Sequence, residues 1–379
     1  MLQSKYRANA IISRLHGAAS SNSNSTNYMH QLQLSAMGEV PVVSGNSEGT
    51  GYIVNVGFGT PPNKNMKMNF DTASDVSWLR CDYSSGSSTF KRLDCKSCYR
   101  EVEGIACNGQ NECILQVQYR SNGNQITAHM SRDTLWLGSQ SFQNFGFGCN
   151  GFKGNPSIGL LALGRNSLSL PSQARRVFSY CLPNFLDPKQ KGSLRLGDAA
   201  STVPSSSKFT ALLSNPLATS WYFVGISGIS VGTTRLNIPP KLFQFDSRGG
   251  GTILDSGVLI SQLVQPAYDA LRAAFLKQMK LSPMKVQPQL PLPLDTCFTY
   301  SGDITKLQIP PVTFHFQDGL NLPINQNGIL APVSEDAICL AFQPSHDFNI
   351  IGTLQQQGYT ISFDQGRKRI GFAPVRTCT

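Results

Sequence analysis

The sequence predicts a mainly β protein built as two pseudo-symmetric lobes with a cleft between them, and three observations carry that expectation. Two acidic triplets, Asp71-Thr72-Ala73 and Asp255-Ser256-Gly257, each follow a strand-like run: Met66–Phe70 with apolar residues at alternate positions, and the short, β-branched Thr252–Leu254. Each triplet is followed at nearly the same distance by an apolar run ending in glycine. Asp71 precedes Gly164 by 93 positions, and Asp255 precedes Gly352 by 97. The composition is that of a turn-rich β chain, with 34 Gly, 22 Pro and only 14% charged residues. A strand, an acidic turn and a later strand, given twice, are the mark of an internal repeat.

A chain of 379 residues can bury two cores. Residues 1–50 read as a polar pre-domain segment, a propeptide-like or targeting remnant. Residues 51–205 read as the first lobe, with a cysteine-rich insert over about 81–113, and residues 206–379 as the second. The first lobe opens with Tyr52–Phe58, which alternates like a strand and is turned by Thr60-Pro61-Pro62. Short strands follow at Cys113–Tyr119, Asp133–Leu137 and Phe142–Phe147. The Ser- and Ala-rich run Asp198–Pro216 reads as the connection between lobes, and Trp221–Val224 as the first strand of the second. One helix is expected from Pro266 to about Lys280, with Tyr268, Leu271, Phe275 and Met279 on one face and Pro283 as its stop. Gln287–Pro293 is proline-rich and reads as a loop.

Ten cysteines, six of them between residues 81 and 149, point to disulfides and an oxidising compartment. Zinc is the other use of Cys95-Lys96-Ser97-Cys98, but neither a second CxxC nor a pair of histidines follows at ligand spacing. Apart from Cys378 near the C-terminus, Cys297 and Cys339 are alone in the second lobe and are expected to pair. Cys378 then reaches back to Cys181, and Cys81, Cys95, Cys98, Cys107, Cys113 and Cys149 pair among themselves. The formal net charge of +10 is spread as +1, +6 and +3 over residues 1–50, 51–205 and 206–379. With no dense basic helix or arm, a solvated basic surface explains it better than a nucleic-acid site. No apolar stretch has the length of a membrane span. The first 38 residues contain no acidic residue and carry a Ser/Asn-rich tract, a composition shared with plastid transit peptides. The cysteine content favours instead the tail of a propeptide and a secreted or vacuolar destination.

Two motif matches fail on context. Gly146–Gly151 fits GxGxxG but runs into Phe152-Lys153-Gly154-Asn155-Pro156, a poor start for a helix. Gly45–Gly49 fits GxSxG without the strand before it or the helix after it. The paired acidic turns pass the same examination. Two carboxylates held face to face cannot both ionise, so they share a proton. The ionised partner can then deprotonate a bound water while the protonated one polarises a carbonyl. A small residue two positions on, Ala73 or Gly257, lets backbone amides approach the carboxylates, and the hydroxyls of Thr72, Ser74 and Ser256 can lock the turns together.

With these turns in place, the chain resembles the pepsin-type aspartic peptidases, and more closely their nepenthesin-like plant branch, which includes members described as chloroplast nucleoid DNA-binding proteins. The resemblance runs from Gly51 to Cys378. It rests on Phe70–Asp75 with Trp78, Phe145–Cys149, Gly164-Arg165 with Leu170–Gln173, Phe178–Cys181, Leu294–Phe298, Ile350–Gly352 with Gln355–Gln357, and Gly371–Pro374. It implies a pepsin-like fold with the active cleft between the lobes, hydrolysis of polypeptide substrates at acid pH, no cofactor or metal, and a disulfide-bonded insert near the cleft entrance. Asp71 and Asp255 become the catalytic dyad, Tyr119 the flap tyrosine and Trp78 its hydrogen-bonding neighbour. A monomer is expected, with nucleic acid an unlikely partner.

Three positions depart from that pattern. Ala73 stands where the family has Gly, Val258 where Thr is usual, and Arg120 follows Tyr119 where the flap has Gly. The first two alter the surroundings of the dyad and the third the flap. They leave open a second reading, a catalytically weak binding or inhibitory protein on the same scaffold.

Overall fold

A computed structural model describes residues 39–45, 51–100, 102–118, 125–150, 158–174, 176–197, 203–246, 249–284 and 294–378. Its two repeat units share one arrangement. In the first, strand Asn63–Asp71 buries Met68 and Phe70 and lies parallel to Gly159–Ala162, with Ala162 opposite Asp71. Strand Trp78–Arg80 runs antiparallel to Gly159–Ala162, Trp78 facing Leu160. In the second, Thr252–Leu254 lies parallel to Asn349–Ile351, with Leu254 opposite Ile351. Strand Ser261–Val264 runs antiparallel to it through Gln262 and Ile350. Each acidic turn therefore leaves the end of a buried strand that is already paired, and its carboxylate inherits the rigidity of the sheet.

The repeats belong to different sheets, and this makes the molecule bilobed. The second lies in a five-stranded sheet with Tyr222–Val224 and Phe342–Ser345 at its edges. The first lies in a longer sheet that includes, in spatial order, Lys208–Ala211, Arg369–Pro374, Tyr359–Asp364, Val177–Cys181, Gly192–Leu196, Glu39–Ser44, Tyr52–Phe58 and Asn63–Asp71. That sheet continues through Gln140–Asn150 and Gln125–Leu137 to Cys113–Gln118. Among the described residues, the last two strands thus share a sheet with the first two. Phe178 and Phe363 stack across it with centroids 4.6 Å apart, and Tyr222 meets Phe363 edge-on.

Several boundaries differ from those expected. The body of the protein includes part of the segment read as pre-domain, because Glu39–Ser44 is a strand that pairs with both Gly192–Leu196 and Tyr52–Phe58 and buries Val40 and Val42. The run read as an interlobe connection holds the strand Lys208–Ala211, paired with Arg369–Pro374. The helix spans Gln265–Gln278, with Pro266 in its first turn and Ala267, Tyr268, Leu271 and Phe275 buried. Met279 is buried too, but it caps the helix with extended backbone while its amide still bonds to the Phe275 carbonyl. Pro283 is not the stop, since it lies beyond the cap and bridges to Phe298.

Five disulfides join Cys81 to Cys149, Cys95 to Cys107, Cys98 to Cys113, Cys181 to Cys378 and Cys297 to Cys339. Cys98–Cys113 fastens the insert to the first residue of strand Cys113–Gln118, and Cys181–Cys378 ties the C-terminus to the shared sheet. Among the described residues, no helix is long and apolar enough to cross a membrane.

Asp364 gives this sheet a measurable pH dependence. Burial raises its pKa, but bonds from the Arg367 amide and guanidinium and from Arg369 Nε outweigh burial and hold it below the ordinary carboxylate value. The stability this contributes is complete above the unfolded-state pKa of about 3.9 and is lost only as pH falls through the lower folded-state value. Arg367 is largely exposed, so solvent discounts the effect. Asp364→Asn should cost about 1–2 kcal/mol near neutral pH and progressively less under acid conditions, as read by urea denaturation at several pH values. A cost that grew as pH fell would contradict this assignment.

Candidate active site

Asp71 and Asp255 are both buried, 2% and 0% exposed, and the structure brings them together. A β-carbon built on Gly257 would lie 2.9 Å from Asp71 Oδ1 and 3.1 Å from Asp255 Oδ1. An oxygen of each carboxylate thus borders the same methyl-sized space. Each is oriented by the same local bond: the Ala73 amide donates to Asp71 Oδ1 at 2.8 Å, and the Gly257 amide to Asp255 Oδ1 at 2.7 Å.

The two turns also hold each other by exchanging hydroxyls. The Thr72 amide donates to Ser256 Oγ at 3.0 Å, and the Ser256 amide to Thr72 Oγ1 at 2.9 Å. Thr72 Oγ1 then donates across to the Leu254 carbonyl at 3.3 Å, and Ser256 Oγ to the Phe70 carbonyl at 3.1 Å. All four contacts are buried and reach across more than 180 residues. Buried polar bonds of this kind are costly to break singly, so the carboxylates sit on a rigid, water-excluded floor.

The symmetry stops at the next residue. Ser74 Oγ donates to Asp71 Oδ2 at 2.6 Å, whereas the corresponding Val258 has no hydroxyl to offer. Val258 and Ala73 both enter one apolar cluster with Trp221, Phe223, Ile253 and Phe348. Ala73 takes no left-handed backbone angle, so its methyl group brings no backbone strain. Two of the three departures seen in the sequence therefore enter the same apolar cluster.

Around the first turn lies a latch that sequence reasoning missed. Asp75 accepts the Asn166 amide at 3.1 Å, Asn166 Nδ2 at 2.9 Å and the hydroxyl of Ser220. A β-carbon on Gly164 would lie 2.4 Å from Asp75 Oδ1, so the apolar run ends in glycine because the turn needs that space. Arg165 extends the contact, its amide bonding to the Ser220 carbonyl and its guanidinium to the carbonyls of Leu213 and Trp221. The latch's sequence signals were Asp75, which lies in the same motif as Asp71, and Gly164-Arg165; nothing local pointed to Asn166 or Ser220.

Trp78 is buried in its strand, opposite Leu160 and Gly148. Tyr119 and the flap sequence through Gly123 lie outside the described residues. The hairpin leading to them, Cys113–Gln118 with Gln125–Leu137, is paired from Ile114↔His129 to Gln118↔Gln125. The GxGxxG match falls largely in strand Gln140–Asn150, where Gly146 and Gly148 pair with the neighbouring strand Gln125–Leu137. Among the described residues, no group of three or more His, Cys, Asp or Glu side chains could hold a metal ion.

Comparison with known proteins shows the family and the fold. Residues 52–198 match the family model described as xylanase inhibitor N-terminal, and residues 221–374 the one described as xylanase inhibitor C-terminal. Aspartyl protease family protein 2 of Arabidopsis thaliana is 35% identical, over 88% of this chain and 72% of its own. Aspartic proteinase nepenthesin-2 of Nepenthes gracilis is 33% identical, over 91% of this chain and 81% of its own. Basic 7S globulin from soybean shares the fold, with a TM-score of 0.72 at 22% identity over 90% of this chain and 97% of its own. The fold and the paired acidic turns define a pepsin-like protein. The chain belongs to the plant aspartic protease family within that class.

Proposed function

We propose that this protein is an acid endopeptidase in which Asp71 and Asp255 share one proton and hydrolyse peptide bonds through an activated water. The reciprocal Thr72–Ser256 exchange, which presents the two carboxylates to each other, is the observation that carries this reading. The ionised carboxylate takes a proton from water as it attacks the scissile carbonyl, and the protonated one donates to the developing oxyanion. Ser74, by donating to Asp71 Oδ2, favours the ionised form of that residue. The Ala73 and Gly257 amides keep both carboxylates aimed throughout. Polypeptide substrates follow from the family, and a monomer suffices because this chain supplies both aspartates. Five disulfides fit folding in an oxidising compartment, with secretion or vacuolar delivery as the proposed destination. The test is proteolysis of denatured globin by the purified protein across the acid range, with and without a statine-type inhibitor. No inhibitor-sensitive cleavage at any acid pH would favour a binding or inhibitory role, the reading that Val258 and the altered flap sequence support.

Val258 makes a sharper expectation possible. A hydroxyl placed there would add a donor on the Asp255 side, as Ser74 does beside Asp71. Charge-assisted hydrogen bonds contribute about 1.5–3 kcal/mol, so even a partial bond moves a pKa by about one unit. Val258→Thr should shift the acid limb of the pH profile downward and raise kcat. KM should change little, since Val258 is packed among buried side chains. An unchanged profile in the folded variant would show that an added hydroxyl supplies nothing the site lacks.

A further inference from the structure

One buried tyrosine touches the approaches to both aspartates. Tyr180 lies in strand Val177–Cys181, between Gly192–Leu196 and Tyr359–Asp364, and is completely buried. Its ring packs on Phe70, the residue before Asp71, with centroids 5.5 Å apart. Its hydroxyl donates to Oε1 of Gln356, itself wholly buried at the end of the helical turn Thr353–Gln356. The other end of that amide grips the second turn. Gln356 Nε2 donates to the Ile351 carbonyl at 2.7 Å and to the Asp255 carbonyl at 3.3 Å. The Ile351 carbonyl also accepts the Asp255 amide at 3.2 Å, so Gln356 clamps the Asp255 main chain to the strand beside it.

We infer that Tyr180 and Gln356 are positioning residues for the dyad, fixing where the Asp255 main chain sits relative to Phe70 and Asp71. The inference rests on the peptidase reading above and deepens it. Gln356 bonds to the Asp255 main chain, so the effect of the pair passes through the distance between the two aspartates. That distance sets how far apart the two apparent pKa values of the pair lie, because closer carboxylates repel more strongly. Without the Tyr180 hydroxyl the Gln356 amide loses its anchor, the Asp255 turn loosens and the repulsion weakens. The two limbs of the pH profile then move toward each other. The ionisable groups around Tyr180 are Asp255 and Tyr222, and Tyr222 in turn lies near Arg165 and Asp75. Burial first, then Asp255 and Tyr222, push the Tyr180 pKa far up, so its hydroxyl remains a proton donor throughout the acid range.

Tyr180→Phe tests this directly, because it keeps the ring on Phe70 and removes only the hydroxyl. The expected result is a fall in kcat of about tenfold, KM within about twofold of wild type, and acid and basic limbs closer together by about half a unit. Gln356→Met, which also removes the grip on Asp255, should give the same pattern more strongly and serves as the test if Tyr180→Phe does not fold. Limbs at their wild-type positions in a folded variant would overturn the inference, whatever its thermal stability. Loss of the peptidase reading would appear separately, as a wild-type protein without acid proteolysis. In that case carbon-13 NMR titration of the two carboxyl groups, assigned with Asp71→Asn and Asp255→Asn, measures the gap between their pKa values without any turnover. A gap unchanged by Tyr180→Phe would again refute the positioning role.

Discussion

Asp71→Asn and Asp255→Asn should each remove acid proteolysis, with kcat falling by about 10³-fold or more while the protein remains folded. An amide in place of either carboxylate ends the sharing of one proton, because it neither ionises to take a proton from water nor has an acidic proton to give up, although its N–H can still hydrogen-bond. Asn keeps the shape and can still accept the Ala73 or Gly257 amide through its oxygen, so the turns need not collapse. Removing members of a unit that acts together is non-additive, and the double variant should be little worse than either single one. Cleavage of denatured globin, followed from the wild-type optimum across the acid range, is the measurement. A single variant that kept near wild-type activity would refute the dyad.

Gly257→Ala is the second change with a large expected effect, and its cause is steric. The new methyl would stand 2.9 Å from Asp71 Cγ and Oδ1, closer than real β-carbons approach, and a tight 3.1 Å from Asp255 Oδ1. Since paired strands hold both turns, the carboxylates must shift to admit it. Displacing a reacting group by about 1 Å can cost about 10²-fold in rate, and that is the expected fall in kcat/KM. The strain should also cost about 1–3 kcal/mol of stability. Ala73→Gly is the matched control on the other side. It removes a methyl that already packs within an apolar cluster, so it should cost less than about 1 kcal/mol and leave turnover intact. Wild-type kcat/KM in folded Gly257→Ala would show that the turns are looser than their hydrogen bonds imply.

What could be read from the sequence follows the range of the physics involved. The acidic turns were legible because a short buried strand, a carboxylate and a small residue form a local pattern, and its repetition made it specific. Gly164 and Gly352 were found by spacing alone, although their role is a close approach that only coordinates reveal. Tyr180 and Gln356, or Asp75 and Ser220, could not be paired by any local rule, being 176 and 145 residues apart. The helix end was misplaced because Met279 continues the apolar face after the backbone has already turned extended. Strand Glu39–Ser44 was overlooked because its two buried valines flank a proline within an otherwise polar stretch. Proline is tolerated at few positions in a strand, and a sequence alone does not say that this is one of them.

Strand Val177–Cys181 is flanked on one side by Gly192–Leu196 and on the other by Tyr359–Asp364, which Arg369–Pro374 then backs. A ribosome would release the first half of this protein with that second side bare, an unsatisfied row of amides and carbonyls on a hydrophobic strand. Among the described residues Tyr359–Asp364 takes that place, so each nascent chain must wait, partly open, for its own closing residues. A premature stop near the end would therefore do more than trim a tail. It would leave a nearly full-length chain with a sticky edge, suited to chaperone capture or self-association.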